Sequence, residues 1–218
     1  MPSQTGPRLS PKVFLFGPQA LAFDTKLFRT LHSHLYGCWA LDTLSDLPDI
    51  WESLVKQVPK LQHVEGERLL RELHRGLQTG SLPDSLFPLP NILLSPLVII
   101  VQLTQYIAFV RSAFPGLADA DELPQSVMET SETLGLCTGI LSAFAVSCAS
   151  SLAKVQQYGA VAVRLSMLAG ALVDAEEASP DTGSPAMSFS MSWNASESRA
   201  SVNEVLAKFP EVSQPQTT

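Results

Sequence analysis

The stretch Gly135-Leu136-Cys137-Thr138-Gly139 decides how this sequence is interpreted. Glycine, any residue, nucleophile, any residue, glycine is the pattern of a nucleophile elbow, a sharp turn from a strand into a helix that presents a reactive side chain at its apex. The usual nucleophile is serine, whereas this chain has a cysteine. The backbone of the nucleophile is strained in such a turn, and small flanking residues let the strand and the helix approach each other. The pattern therefore predicts that Cys137 lies at a tight strand-to-helix junction.

The residues on either side of the pentapeptide bear on this prediction. Small and apolar residues over 140–155 predict a buried helix that begins at the elbow, and a second helix is predicted from about residue 159 to 173. The first helix would direct N–H groups and its positive dipole end at the sulfur of Cys137, which favours the thiolate. The preceding stretch, 127–134, is rich in polar residues, so the strand of the elbow must be very short. The alternative is that Cys137 is a small, inert hydrophobic residue.

Length, charge and cysteine content limit the class of protein. At 218 residues with a net charge of −7, the chain can bury one large core. Its basic residues are scattered, which argues against nucleic acid as a partner. Cys38, Cys137 and Cys148 have neither metal-ligand spacing nor a paired framework, so we expect no metal site and free thiols in the reducing cytoplasm. The apolar segment 92–110 is interrupted by Pro96 and is interpreted as a buried core helix, so no membrane association is predicted.

The pattern along the chain predicts an α/β protein. Residues 1–12 are polar and are predicted to be disordered, and 13–16 form a short buried strand that Gly17 and Pro18 end. Asp24 is the predicted N-cap of the first helix. Further helices are predicted over 50–58, 61–77 and 96–114, with Pro96 at the start of the last one.

A second, smaller part is predicted after the core. Residues 187–193 alternate strictly between apolar residues and serine, which is the clearest strand signal in the chain, and a short helix over 202–209 follows. The predicted boundaries are 13–177 for the core, 178–186 for a linker, 187–210 for the start of a small subdomain and 211–218 for a polar tail.

A few other residues are candidates for the site. Gln19 directly follows the first predicted strand, and ligands of an α/β sheet collect at the carboxyl ends of its strands. Gln19 and the elbow are therefore predicted to face one pocket, with a plain turn residue as the alternative. Arg164 lies in an apolar stretch and either binds a carboxylate or extends its charge to solvent. The histidines all precede Cys137, in segments predicted as solvent-facing helices: His32, His34, His63 and His74.

Two segments resemble a known family of acyltransferases. Residues 13–19, Val-Phe-Leu-Phe-Gly-Pro-Gln, resemble the opening strand and loop of the malonyl-transacylase-like acyltransferases. Residues 132–143, Glu-Thr-Leu-Gly-Leu-Cys-Thr-Gly-Ile-Leu-Ser-Ala, closely resemble the branch that has cysteine in its elbow. That branch is the starter-unit acyltransferase domain at the N-terminus of fungal non-reducing polyketide synthases. The resemblance, from about residue 13 to 209, implies a malonyl-transacylase-like, α/β-hydrolase-type core with an incomplete ferredoxin-like small subdomain.

The resemblance also implies an activity and roles for individual residues. Cys137 would take a starter acyl group from a thioester donor, acyl-CoA or an acyl carrier, and pass it to the phosphopantetheine thiol of an acyl carrier protein. The backbone N–H groups of Gln19 and Thr138 would hold the oxyanion, and Gly135 and Gly139 would be the elbow glycines. No bound cofactor is implied. The reaction would initiate polyketide biosynthesis.

One catalytic residue of the family has no counterpart in this sequence. The family's catalytic histidine lies beyond the small subdomain, and no histidine follows Cys137 here. We therefore expect a truncated starter acyltransferase, with a non-catalytic remnant that acts only as an interaction module as the alternative. A cysteine hydrolase is less favoured, because the chain has neither a glycine-rich oxyanion loop nor an Asp and His pair after the nucleophile.

Overall fold

The computed structural model describes residues 12–18, 23–35, 39–124, 127 and 131–177. Short 3-10 helices occur at Pro59–His63 and Asp84–Leu86. The strands and α-helices, in chain order, are β1 (Lys12–Phe16), α1 (Thr25–Leu35), α2 (Trp39–Ser45), α3 (Leu47–Gln57), α4 (Gly66–Thr79), α5 (Asn91–Ala113), β2 (Ser131–Gly135), α6 (Gly139–Ser147) and α7 (Leu152–Glu177).

The two strands form a parallel sheet whose carboxyl ends lie side by side. Phe16, the last residue of β1, pairs with Gly135, the last residue of β2. The helices α1 to α5 lie between the strands along the chain and provide the long connection that a parallel pair requires. The residues that directly follow β1 and β2, including Cys137, therefore start from the same edge of the sheet.

Only one face of β1 is buried, whereas the sequence predicts a short buried strand. The ring of Phe14 packs edge-to-face against Tyr106, at 5.0 Å between centroids, and against Phe109, at 5.3 Å. The side chains of Val13 and Leu15 lie on the other face and are 59% and 72% exposed. An unbroken apolar run is typical of a strand covered on both faces, so the run alone could not indicate this difference.

The helices α5 and α7 pack along each other and form much of the core. The first half of α5 is apolar on most sides, and its residues 97–100 are fully buried. The two helices approach closely near Gly170, where a Cβ would clash with the backbone of Asn91. Asp174 on α7 accepts hydrogen bonds from the N–H groups of Asn91 at 2.9 Å and Ile92 at 2.8 Å, which caps the N-terminus of α5.

This cap explains why α5 begins earlier than predicted. The sequence places Pro96 at the helix start, whereas Pro96 lies in the second turn of α5. The prediction at the first helix is confirmed, because Asp24 Oδ1 accepts a hydrogen bond from Leu27 N–H at 2.7 Å. Both α5 and α7 have the length and hydropathy of a membrane span, and most of the α5 stretch is buried inside the fold as a core helix.

The chain after the elbow is divided differently from the prediction of one helix over 140–155 and another from about 159. The break falls between α6 and α7, at residues 148–151. Leu123 N–H donates to Ser150 O at 2.8 Å, and Ser151 Oγ accepts from Lys154 N–H at 3.2 Å as a cap of α7. Gly159 lies inside α7, where its missing side chain leaves room for Trp39.

The described part is α/β at the level of class, since it is mostly helical with a small two-stranded parallel sheet. The malonyl-transacylase-like, α/β-hydrolase-type core stays a prediction, as do the domain boundaries. The predicted disorder of 1–12 concerns residues outside the described ones, apart from Lys12, which begins β1. The predicted linker, the strand at 187–193, the helix at 202–209 and the polar tail also lie outside the described residues.

Candidate active site

The pentapeptide forms a strand-to-helix elbow at the carboxyl edge of the sheet. Cys137 lies between the end of β2 and the start of α6 with a φ of 56°, and it is the one described residue other than glycine with a positive φ. This left-handed conformation costs a residue with a Cβ about 1–2 kcal/mol. Two turn hydrogen bonds support it, from Gly139 N–H to Leu136 O and from Ile140 N–H to Cys137 O, both at 3.0 Å. The elbow conformation that the pattern predicts is present.

Gly135 and Gly139 are both required by close backbone contacts. A Cβ on Gly135 would lie 2.5 Å from the Cα of Ile140. A Cβ on Gly139 would clash with the carbonyl oxygen of Phe16 and lie 2.6 Å from that of Gly17. Real Cβ atoms essentially never come this close to backbone atoms, so a side chain at either glycine would force the strand and the helix apart.

The elbow presents Cys137 to solvent at the N-terminus of α6. The thiol is exposed, and Thr138 is the N-cap residue of the helix. The hydroxyl of Thr138 is buried without a hydrogen-bond partner among the described residues. Leu136 and Ile140, on either side of the turn, are 62% and 46% exposed, so the residues that flank Cys137 in the elbow present apolar surface.

The carboxyl end of β1 contacts the elbow directly. Phe16 O accepts a hydrogen bond from Leu136 N–H at 3.0 Å. Gly17 O, next along the chain, accepts one from the side-chain amide of Gln102 at 2.9 Å. Gln19, the predicted partner of the elbow, lies outside the described residues.

Gln102 and Ser142 are parts of this site that the sequence interpretation did not identify. Ser142 Oγ on α6 donates to Gln102 Oε1 on α5 at 2.7 Å, and Ser142 is fully buried. The available signal was the amide of Gln102 directly after the apolar run of residues 97–101 in α5, because a polar group in such a place needs a partner. The identity of the partner depends on contacts between distant segments.

The structure gives two of the histidines partners on α4. His32 Nε2 lies 2.7 Å from Leu77 O, and His74 Nε2 lies 3.0 Å from Gln78 Nε2. His63 is exposed, and the structure does not describe the side chain of His34.

Arg164 and Cys148 also have defined surroundings. Arg164 Nη2 contacts Asp46 Oδ2 at 3.4 Å, in a pair that is largely exposed. Cys148 is exposed at the end of α6, so its predicted place inside a buried helix is wrong. The helix ends before this residue, because residues 148–151 form the turn to α7. Cys38 is outside the described residues.

No group of three or more His, Cys, Asp or Glu side chains that could hold a metal ion occurs in the described part of the chain.

Comparison with known proteins identifies the family. A family model described as the starter unit:ACP transacylase in aflatoxin biosynthesis matches residues 14–218. The chain is 87% identical over 211 residues to clavatol synthase claF of Penicillium crustosum. This alignment covers 97% of this chain and 8% of claF. It is 48% identical over 204 residues to the citrinin polyketide synthase of Monascus ruber, and this alignment covers 93% of this chain and 8% of the synthase.

A third, more distant relative is also a polyketide synthase. The non-reducing polyketide synthase epaA of Aspergillus niger is 37% identical over 204 residues, which covers 92% of this chain and 7% of that protein. The chain thus spans about 8% of the length of the first curated relatives it matches. Because the family model matches nearly the whole chain, the chain belongs to the starter unit:ACP transacylase family, the family that residues 13–19 and 132–143 resemble.

Proposed function

We propose that this chain transfers a starter acyl group from a thioester donor, acyl-CoA or an acyl carrier, to an acyl carrier protein through a thioester on Cys137. The observation that carries the proposal is the exposed thiol of Cys137 in a chain of this family. Cys137 lies at the apex of the elbow, with a backbone φ of 56°. The reaction initiates polyketide biosynthesis in the cytoplasm. It needs neither a bound cofactor nor a metal, and it involves neither nucleic acid nor a membrane.

In the first half-reaction, the sulfur of Cys137 attacks the carbonyl carbon of the donor thioester. A carbon–sulfur bond forms, and the electrons of the carbonyl double bond move to its oxygen. The N–H groups of Thr138, at the start of α6, and of Gln19 donate to this oxyanion. The double bond then re-forms, the bond to the donor sulfur breaks, and the departing thiolate takes the proton that Cys137 has lost.

In the second half-reaction, the phosphopantetheine thiol of the acyl carrier protein attacks the Cys137 thioester by the same steps in reverse. Donor, intermediate and product are all thioesters, so neither half-reaction has to cross a large difference in free energy. Cysteine is for this reason a suitable nucleophile.

The surroundings of the thiol fit an uncharged acyl chain. Leu136 and Ile140 expose apolar surface beside Cys137. Arg164, the residue weighed as a carboxylate ligand, instead pairs with Asp46. A starter acyl group without a second carboxylate needs apolar contacts of this kind and no cation.

The test is acylation of the chain by a short-chain acyl-CoA, followed by intact mass spectrometry. Wild type and Cys148→Ala are expected to gain one acyl group that hydroxylamine releases, and Cys137→Ala is expected to gain none. Cys148→Ala is the matched control, because this second cysteine is also exposed and lies at the other end of α6. Equal acylation of Cys137→Ala would contradict the role of Cys137.

The acceptor is tested separately. Acyl-Cys137 protein is mixed with an acyl carrier protein that carries phosphopantetheine or lacks it, and transfer is expected only to the first. A stable acyl-Cys137 that reacts with neither would refute the acceptor while leaving the nucleophile in place. If wild type is never acylated but binds the carrier protein, the chain is a non-catalytic interaction module.

A further inference from the structure

A side chain on the apolar helix α5 bonds to both elements that meet at the elbow. The amide nitrogen of Gln102 donates to Gly17 O, just after β1, and its amide oxygen accepts from Ser142 Oγ, on α6. Ser142 is fully buried, so bulk water does not compete with Gln102 for the Ser142 hydroxyl. Gln102 therefore holds the end of β1 and the elbow helix at a fixed separation.

The bond to Gly17 anchors Gln102 to the end of β1. Phe16 pairs with Gly135 at the carboxyl edge of the sheet, and Gly17 follows Phe16 directly. The carbonyl oxygen of Gly17 lies beside Gly139, the first residue of α6, where a Cβ would come within 2.6 Å of it. Gln102 therefore holds a point of the chain that already packs against the start of the elbow helix.

The bond to Ser142 acts on a proposed oxyanion donor, the N–H of Thr138. Ser142 lies four residues after Thr138, so the two are neighbours on one face of α6. Because α6 is rigid over one turn, fixing Ser142 fixes the N-terminus of the helix and the N–H of Thr138. The two ends of one amide thus hold the end of β1 and the first turn of α6 together.

We propose that Gln102 is a positioning residue of the oxyanion site, which sets the position of the Thr138 N–H relative to the end of β1 by tying that strand end to α6. This inference rests on the proposed acyl transfer. Gln102 does not touch the substrate, and its effect passes through Gly17 and Ser142.

The experiment compares single-turnover acylation of wild type with Gln102→Met, which keeps the length and apolar stem of the side chain but has no amide. The maximal rate is expected to fall about 10- to 100-fold, less than the factor on the order of 10²–10³ that complete loss of a donor costs. The donor concentration at half-maximal rate is expected to stay within about twofold, because the acyl-binding surface is unchanged. Unfolding by urea shows whether each variant is folded.

Ser142→Ala provides a milder second variant, because it removes one bond and only the volume of one hydroxyl oxygen. It is expected to slow acylation by at least about threefold, which corresponds to one net hydrogen bond. The double variant with Gln102→Met is expected to be no slower than Gln102→Met alone, since Ser142 acts through Gln102. Full additivity of the two effects would overturn this coupling.

Alkylation of Cys137 by iodoacetamide separates oxyanion positioning from damage to the nucleophile. Alkylation forms no oxyanion, so its rate in folded Gln102→Met is expected to stay within about twofold of wild type. Acylation at the wild-type rate in folded variants, or alkylation slowed by the same factor as acylation, would overturn the inference. If wild-type Cys137 is not acylated at all, the proposed function fails, and that outcome is distinct from either of these.

Discussion

The contact between α6 and β1 predicts that Gly139→Ala destabilises the protein strongly. The new Cβ would meet the carbonyl oxygens of Phe16 and Gly17, which are backbone atoms that cannot rotate away. Relief requires α6 to move from the strand, which breaks the hydrogen bond from Leu136 N–H to Phe16 O. Overpacking costs about 1–3 kcal/mol and the lost bond about 0.5–1.5 kcal/mol, so the free energy of unfolding should fall by about 1.5–4.5 kcal/mol.

Urea denaturation followed by circular dichroism measures this change. With a slope of about 2 kcal/mol per M, the midpoint of Gly139→Ala should fall by about 1–2 M while the slope stays constant. Gly116→Ala is the matched control, because its Cβ would meet no atom within 4 Å. The control should remain within about 0.5 kcal/mol of wild type. If Gly139→Ala is as stable as Gly116→Ala, the close approach of helix and strand at the elbow is refuted.

Two further predictions concern the core. Asp174→Ala removes the cap of α5 and should lower the free energy of unfolding by about 1–2 kcal/mol. Asp174→Asn keeps one acceptor oxygen, so its free energy of unfolding should fall by less. Equal losses for the two variants in urea denaturation would contradict the capping role. Burial raises the pKa of Tyr106 from 10.0 to about 12, so the unfolded chain ionises first and stability should decline as the pH rises through this range. Tyr106→Phe should flatten that decline, and parallel wild-type and variant curves of unfolding free energy against pH would show that another group causes it.

Local chemistry explains which parts of the fold were predictable from the sequence. The elbow depends on the sizes of Gly135 and Gly139 and on the conformation of Cys137, all within one pentapeptide. The cap at Asp24 is also a short-range interaction, since its acceptor and donor are three residues apart. Such features follow from the residues themselves, because the atoms that interact are neighbours in the chain.

The features that the sequence did not reveal depend on distant partners. Gln102 bonds to residues 85 and 40 positions away, and Asp174 caps a helix that begins 83 positions before it. The end of α6 is of the same kind, because no glycine or proline marks residues 148–151 and Leu123 N–H instead bonds to Ser150 O. In each case the residue type indicates that a partner is needed, and only the fold determines which one it is.

The carbonyl oxygen of Gly17 connects the stability of the elbow with its chemistry. It limits how closely α6 can approach, since a Cβ on Gly139 would meet it, and it also accepts the hydrogen bond from Gln102. The strained conformation of Cys137 persists only where surrounding contacts hold it. Close packing of α6 against the end of β1 supplies those contacts, and the same packing leaves room for no side chain at Gly139. The glycine that makes the elbow possible is therefore also what allows Gln102 to link the strand end to the helix. The constraint on the fold and the placement of the proposed oxyanion donor Thr138 thus have one structural origin.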